Sequence, residues 1–219
     1  MSTVAVKERP ILFSAPMVRA ILDGRKTQTR RIVKAKDSDP ERCITLTTLM
    51  ANVNEWREQN GRWFGIDGYD TLVFADCPYG QVGDRLWVRE TCWVRQWGNT
   101  FNGIGVDYKA GGDPLHLPKR PKNVGRMCCW RPSIHMPRWA SRITLEITGV
   151  RVERLNEISR DDAIAEGCGI NSEGEWLNEI ECGITRQQRF RELWNSINGK
   201  DSWSANPWVW VISFKRLTP

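Results

Sequence analysis

A short polar stretch brings together a lysine, a threonine and three arginines, side chains that can carry out hydrolytic chemistry. Lys26 can act as a general base only if part of it is neutral near pH 7. Because the usual lysine pKa is ~10.4, this requires desolvation or nearby cations. Arg25, Arg30 and Arg31 are such cations. Thr29 has a hydroxyl that a neighbouring base can activate as a nucleophile. The stretch predicts either a base and nucleophile pair or a site for an anionic ligand.

A structural explanation of the same charges is also open. Seven basic residues and one acid, Asp23, lie between Arg19 and Lys36. Cations beside a helix C-terminus are mildly stabilising, so a solvated basic edge needs no ligand. Glu166 is the candidate proton donor, because it ends a short helix just before Gly167 and can point into a cleft. The alternative for Glu166 is a helix-end acid that faces solvent.

A second set of charged residues predicts contacts with substrate or nucleic acid. Glu90 ends an apolar strand and is either a salt-bridge partner at the strand end or a pocket residue. The basic run at 119–122 is either a solvated turn or a nucleic-acid contact. We expect this run, together with arginines from both sets, to form one positive surface around the mouth of the pocket. The candidate binding residues are Arg25, Arg30, Arg31, Glu90, Lys119, Arg120, Lys122, His135, Arg138 and Arg142.

The sequence predicts neither a metal nor a cofactor. Its seven cysteines include no C-x-x-C pair, although Cys128 and Cys129 lie near His116 and His135. Structural zinc sites usually show tighter paired spacing. A glycine-rich phosphate loop is absent from the sequence. The odd number of cysteines and the mixed, weakly apolar first residues predict free thiols in the cytoplasm.

Period and capping signals predict the elements that must position these residues. An amphipathic helix begins after Ser14 and ends at Gly24, and a polar loop then leads into a strand. In the final strand, alternation predicts that Trp208 and Trp210 face the core together with Ile212 and Phe214, while the valines face the other way. The other predicted elements are strands at 85–93 and 143–152 and capped helices at 159–166 and 185–199.

Two segments lack clear patterns and are interpreted as loop-rich insertions, at 37–80 and 96–130. In the first, the spacing of Leu46, Leu49, Val53 and Trp56 indicates a helical piece. The remaining strands are short, few and separated by helices. We therefore expect an α+β fold, a small mixed β-barrel with flanking short helices, in a single domain over residues 1–219.

Composition favours anionic partners. The chain has 219 residues, a net charge of +6 and a sequence pI of about 9.1. A basic balance of this kind is typical of proteins that bind RNA or DNA. The 12 tryptophans supply packing surface and can also stack on bases. No stretch approaches the ~18 apolar residues of a membrane span, so no membrane contact is expected. The oligomeric state is not predicted.

The motifs resemble those of the ASCH domain family (activating signal cointegrator homology), a branch of the PUA-like proteins, and in particular its longer phage- and prophage-associated members. The resemblance is carried by GRKTQTRR after the first helix, GDRLWVRE at 83–90, SIHMPRWASRITLEIT at 133–148, ISRDDAIAEG at 158–167 and NPWVWVISF at 206–214. It implies a PUA-like barrel.

The resemblance also implies an activity on RNA or a modified nucleoside. In the acetylcytidine amidohydrolase branch, the matching positions are Lys26 as base, Thr29 as nucleophile and Glu166 as acid. The resemblance to ribonuclease-type members implies the same dependence on the motif lysine. The alternatives are a non-catalytic RNA- or DNA-binding module and a phage-encoded interaction protein.

Overall fold

A computed structural model gives the structure of the protein. It describes residues 5–34, 53–59, 62–67, 72–97, 103–119, 121, 129–168 and 183–218. The chain divides into two compact units, the first formed by 1–24, 83–146 and 215–219 and the second by 25–82 and 147–214. Both mix helices and strands, so the α+β class is confirmed. The single-domain organisation stays a prediction.

The helices and strands follow one another along the chain with strands in the majority. They are β1 (Glu8–Leu12), α1 (Ala15–Leu22), β2 (Gln28–Ile32), β3 (Val53–Gln59), β4 (Arg62–Asp67), β5 (Leu72–Ala75), β6 (Arg85–Arg89), β7 (Cys92–Trp97), β8 (Gly103–Tyr108), β9 (Leu115–Leu117), β10 (Trp130–Arg131), β11 (Thr144–Arg154), α2 (Arg160–Ala165), α3 (Arg186–Asn198) and β12 (Trp208–Leu217). Short 3-10 helices span Ser133–His135, Arg138–Ala140 and Leu155–Glu157.

In the first unit, β6 pairs in parallel with β1 and antiparallel with the start of β11. Leu86 and Val88 are buried on one face of β6, as alternation predicts. The predicted helix is α1, and Gly24 follows it with φ +73°, which suits glycine. Ser14 occupies the N-cap position, but its side chain makes no capping hydrogen bond.

A four-stranded antiparallel sheet of order β10-β7-β8-β9 completes the first unit. This corrects the prediction that 96–130 is a loop-rich excursion, since β8 and β9 lie in that segment. Glycines in β8 interrupt the alternation of side chains, so the sequence pattern did not predict this strand. A Cβ at Gly105 would lie 3.2 Å from the guanidinium carbon of Arg95 on β7, a close contact that the Arg95 side chain would have to relieve. A core formed by β7, β8 and the 3-10 helices includes Val94, Val106 and Met136.

In the second unit, β12 lies between β11 and β2 and is buried on both faces. On one face, Trp208 and Trp210 make edge contacts with Trp56 and Trp63, at centroid distances of 6.4 and 5.9 Å. On the other face, Val209 and Val211 pack into a cluster with residues of α2 and α3. The predicted alternation of β12 is therefore confirmed.

A three-stranded sheet of order β3-β4-β5 also belongs to the second unit, so the interpretation of 37–80 as loop-rich is wrong for its described part. Here the predicted helical piece is wrong, because Val53 and Trp56 lie on strand β3, while Leu46 and Leu49 fall outside the described residues. The register shifts between Val53 and Glu55. An irregularity of this kind lets two residues three apart both be buried on a strand, which imitates helical spacing.

Side chains cap the N-termini of both helices of the second unit, as predicted. The Ser159 hydroxyl accepts from the Asp162 N–H, and Thr185 forms a reciprocal capping box with Gln188. Phe190 and Trp194 of α3 are buried and Leu193 is partly buried, but Ile197 is exposed, so the predicted apolar face is one residue too long.

The sheets are open in the described parts of the chain. Each sheet order runs between two edge strands, and the strands described close no barrel. The expected barrel therefore stays a prediction. None of the helices among the described residues has the length and apolar character needed to cross a membrane.

Candidate functional site

The segment that carries Lys26 is held by backbone hydrogen bonds within the second unit. The Thr27 N–H donates to the Ala165 carbonyl at 2.9 Å, and the Phe214 N–H donates to the Thr27 carbonyl at 2.8 Å. The segment is thus fixed between the end of α2 and β12. The segment forms the predicted loop into β2, but its lysine is buried, which contradicts a solvated basic edge at this position.

Lys26 and Glu166 form a buried ion pair although 140 positions separate them. Lys26 Nζ donates to Glu166 Oε2 at 2.7 Å, to the Glu166 carbonyl at 2.9 Å and to the Gln28 carbonyl at 2.7 Å. Glu166 lies at the C-cap of α2, and Gly167 follows with φ +83°. Its alternative role as a solvent-facing acid is wrong, since only 5% of the residue is exposed.

Arg30 extends the pair into a larger network. Its guanidinium forms ion pairs with Glu166 at 3.3 Å, with Asp162 at 3.0 Å and with Glu153. Arg151 on β11 donates to both carboxylate oxygens of Asp162 at 2.9 Å. Burial of so many charges is tolerable because they balance. The network comprises the cations Lys26, Arg30 and Arg151 and the carboxylates Glu153, Asp162 and Glu166.

Burial perturbs proton binding at Lys26. Desolvation lowers the pKa of its ammonium below 10.5, and the charge and hydrogen bond of Glu166 oppose this effect only in part. A lowered lysine pKa favours the neutral amine that a general base requires. Burial raises the pKa of the nearby Cys168 thiol to about 12, which disfavours the nucleophilic thiolate.

Lowering the pH should reduce the stability of the fold, because Asp162 becomes protonated. Partial burial acts to raise the pKa of this carboxyl, but hydrogen bonds and charges of Arg151 and Arg30 prevail, so it lies below 3.8. A lowered carboxyl pKa stabilises the fold above pH 3.8, and this contribution is lost as the pH falls through the folded-state value. Asp162→Asn should therefore be less stable than wild type at pH 7, by a margin that shrinks below pH 3.8.

Urea unfolding of both proteins at pH 7, 5 and 3 measures this margin. Asp161→Asn is the matched control, since Asp161 is the exposed neighbour in the same helix turn. A margin for Asp162→Asn that is the same at every pH would contradict the ion pair with Arg151.

Thr29 and Arg31 lie on β2 in register with β12. Side chains alternate along a strand, so both leave the face opposite to Gln28 and Arg30. Arg31 Nη1 donates to Thr29 Oγ1 at 2.8 Å. A guanidinium bound to a hydroxyl oxygen stabilises the alkoxide that forms when that hydroxyl attacks. Thr29 is buried and Arg31 is half-buried.

Glu90 belongs to the first unit and is paired with Arg142. Arg142 donates to both carboxylate oxygens, with Nε to Oε1 at 2.9 Å and Nη2 to Oε2 at 3.0 Å. Its guanidinium also lies 3.8 Å from the ring centroid of Tyr108 and donates to the Gly111 carbonyl at 2.7 Å. Burial raises the pKa of Glu90, and Arg142 opposes the rise. Of the two open interpretations, this geometry matches the salt-bridge partner.

The other candidate binding residues are distributed along the chain. Arg25 is half-buried, His135 and Lys119 are exposed, and Arg138 forms an ion pair with Glu8 at 3.0 Å. Arg120 and Lys122 lie outside the described residues.

The prediction that Arg30 belongs to a positive surface around the pocket is wrong. The Arg30 side chain is fully buried among carboxylates, so it contributes nothing to such a surface.

Three residues of the network do not stand out in the sequence as parts of a site. Arg151 and Glu153 alternate on one face of β11, and Asp162 is conspicuous only for its place in a helix cap. The available signal is a pair of opposite charges two apart, at and just beyond the end of the strand predicted at 143–152. Alternation alone does not say whether such a face is buried.

A metal site has no support in the described residues, among which no group of three or more His, Cys, Asp or Glu side chains is placed to hold an ion. Comparisons with models of protein families, with curated proteins and with solved structures found no match.

Proposed function

We propose that the chain is an ASCH-type protein of PUA-like fold that hydrolyses RNA or a modified nucleoside, for example an N4-acylated cytidine. The observation that supports this most is the contact of 2.7 Å between Lys26 and Glu166. The sequence motifs pair these two residues functionally only through the family resemblance. Their direct contact brings a candidate base and a candidate acid within proton-transfer distance.

The proposed amide hydrolysis divides the proton transfers among the named residues. Thr29 Oγ1, which β2 directs to the face opposite to Arg30, attacks the acyl carbon, and its proton passes to neutral Lys26 through intervening water. Glu166 in its protonated form gives a proton to the departing amine as the carbon–nitrogen bond breaks. Water then releases the acyl group from Thr29. Transfer of one proton from Lys26 to Glu166 across their contact of 2.7 Å yields the required amine and carboxylic acid.

A second candidate function is a non-catalytic RNA- or DNA-binding module. It is favoured by the complete burial of the Lys26 side chain and by its three hydrogen bonds, which an ammonium satisfies fully. In that case the balanced network holds β2 against α2 and does no chemistry.

An activity screen tests the first candidate. The purified protein is incubated with N4-acetylcytidine, other N4-acylated cytidines and single-stranded RNA, and products are measured by chromatography. Lys26→Met and Thr29→Val should each lower turnover by ~10²–10⁴-fold, because a base or a nucleophile is lost. Thr27→Val is the matched control, since Thr27 lies in the same segment with an exposed side chain and should keep wild-type turnover.

Folding must be separated from chemistry in this screen. Circular dichroism at the assay temperature identifies variants that are unfolded. Wild-type turnover by folded Lys26→Met or Thr29→Val would overturn the assigned roles. Nucleic-acid binding without turnover of any tested substrate would favour the second candidate.

A further inference from the structure

A cavity of about 350 Å³ lies within the second unit. This volume is at the lower end of the ~300–1,000 Å³ range of small-molecule pockets. None of its lining residues belongs to the network of Lys26, so the cavity is a separate feature. Its lining residues include Glu58, Trp63, Cys77, Gln81, Val82 and Val150.

One wall of the cavity is a tryptophan whose orientation is fixed. Trp63 is half-buried and meets the fully buried Trp210 edge to face, with ring planes at 78°. Val150 and Val82 supply further apolar lining. A flat aromatic ring that enters such a cavity gains stacking on the indole and contacts with the two valines.

The polar groups of the cavity are a carboxylate and an amide. Glu58 lies directly opposite Trp63 in the β3–β4 register, so both side chains leave the same face of the sheet as near neighbours. Gln81 follows Gly80, whose φ of +116° turns the chain and whose N–H donates to the Cys77 carbonyl. The turn thereby brings Gln81 and Val82 to the cavity.

A carboxylate accepts hydrogen bonds and donates none, so Glu58 selects a ring edge that carries donors. Guanine offers two adjacent donors, N1–H and the N2 amino group, which match the two carboxylate oxygens. The other three bases place a carbonyl or a bare ring nitrogen beside each donor. A carboxylate next to an indole therefore discriminates in favour of guanine.

We infer that this cavity binds a guanine base, which stacks on Trp63 and donates two hydrogen bonds to Glu58. The base comes from a free nucleotide or from single-stranded RNA, whose unpaired bases are read by stacking and by their Watson–Crick edges. The RNA source rests on the proposed function, whereas the guanine site itself does not.

Isothermal titration calorimetry with the four nucleoside 5′-monophosphates tests the inference. Guanosine 5′-monophosphate should bind at least roughly 10-fold more tightly than the other three, because a bidentate base contact discriminates strongly. Glu58→Gln should weaken its binding on the order of 10- to 100-fold, since one acceptor becomes a donor. Glu55→Gln is the matched control, as Glu55 is exposed on the same strand and paired with Arg57. It should bind like wild type.

The source of the base is resolved by two octamers, one of uridines only and one with a central guanosine. Tighter binding of the guanosine octamer than of the monophosphate identifies RNA, and weaker binding identifies a free nucleotide. Equal affinity for all four monophosphates, no detectable binding of the guanosine compound at about 5 mM, or unchanged affinity in Glu58→Gln would each overturn the inference. Turnover is a separate readout: the proposed hydrolase fails, and the guanine site stands, if the wild type binds guanosine 5′-monophosphate but hydrolyses no substrate.

Discussion

Replacing Lys26 by methionine should lower the free energy of unfolding by ~3–5 kcal/mol, because the substitution leaves the buried Glu166 carboxylate without its closest cation. The two side chains are of similar length, so little packing volume is lost. Arg30, at 3.3 Å, still contacts that carboxylate but already serves Asp162 and Glu153. Urea unfolding followed by circular dichroism measures the loss.

Two further variants show whether the cost comes from the unpaired charge. The double variant Lys26→Met/Glu166→Leu removes both charges and leaves two cations and two carboxylates in the network, so it should recover most of the lost stability. Lys34→Met, at an exposed lysine of the same region, should stay within ~0.5 kcal/mol of wild type. A double variant as unstable as Lys26→Met would attribute the loss to packing.

Trp210→Ala should cost ~3–5 kcal/mol of stability. Trp210 is almost fully buried at the centre of β12 and packs against Trp63. Truncation removes a large apolar surface and leaves a cavity between β12 and the β3–β4 sheet that neighbouring side chains fill only in part. Guanidinium unfolding followed by circular dichroism measures the effect, since the remaining tryptophans complicate fluorescence.

Two comparisons bound the Trp210 effect. Trp210→Phe keeps most of the ring volume and should cost clearly less than the alanine variant. Trp130→Ala removes a tryptophan that is 46% exposed and should cost much less than Trp210→Ala. A Trp210→Ala protein that melts like wild type would contradict the burial of this strand.

Local signals in the sequence predicted the elements whose period was regular. Alternation predicted β6, β11 and β12, and capping residues such as Ser159 and Thr185 predicted the starts of α2 and α3. The prediction failed for strands whose alternation is interrupted, by an irregularity in β3 and by glycines in β8. Local patterns carry no information on how a strand that contains an extra residue or a glycine packs.

For the site, local features of the sequence identified some of the residues, whereas contacts between distant parts of the chain were not predictable. The types and spacing of Lys26 and Thr29 identified candidates for chemistry, and the family resemblance added Glu166. The burial of Lys26 was not predictable, because its carboxylate partner lies 140 positions away and its neighbours in sequence are polar. The burial of Arg30 was not predictable for the same reason.

The division of the second unit into two distant stretches of sequence affects how the protein folds. β2 and β12 pair along five residues, yet most of the chain lies between them. Closing so long a loop costs entropy before the contacts of the pair form, so folding of this unit should be slow compared with helical proteins of its size. During synthesis, the apolar faces that β12 will cover stay exposed until residues 208–214 emerge. Chaperones that shield apolar surface should therefore raise the yield of folded protein.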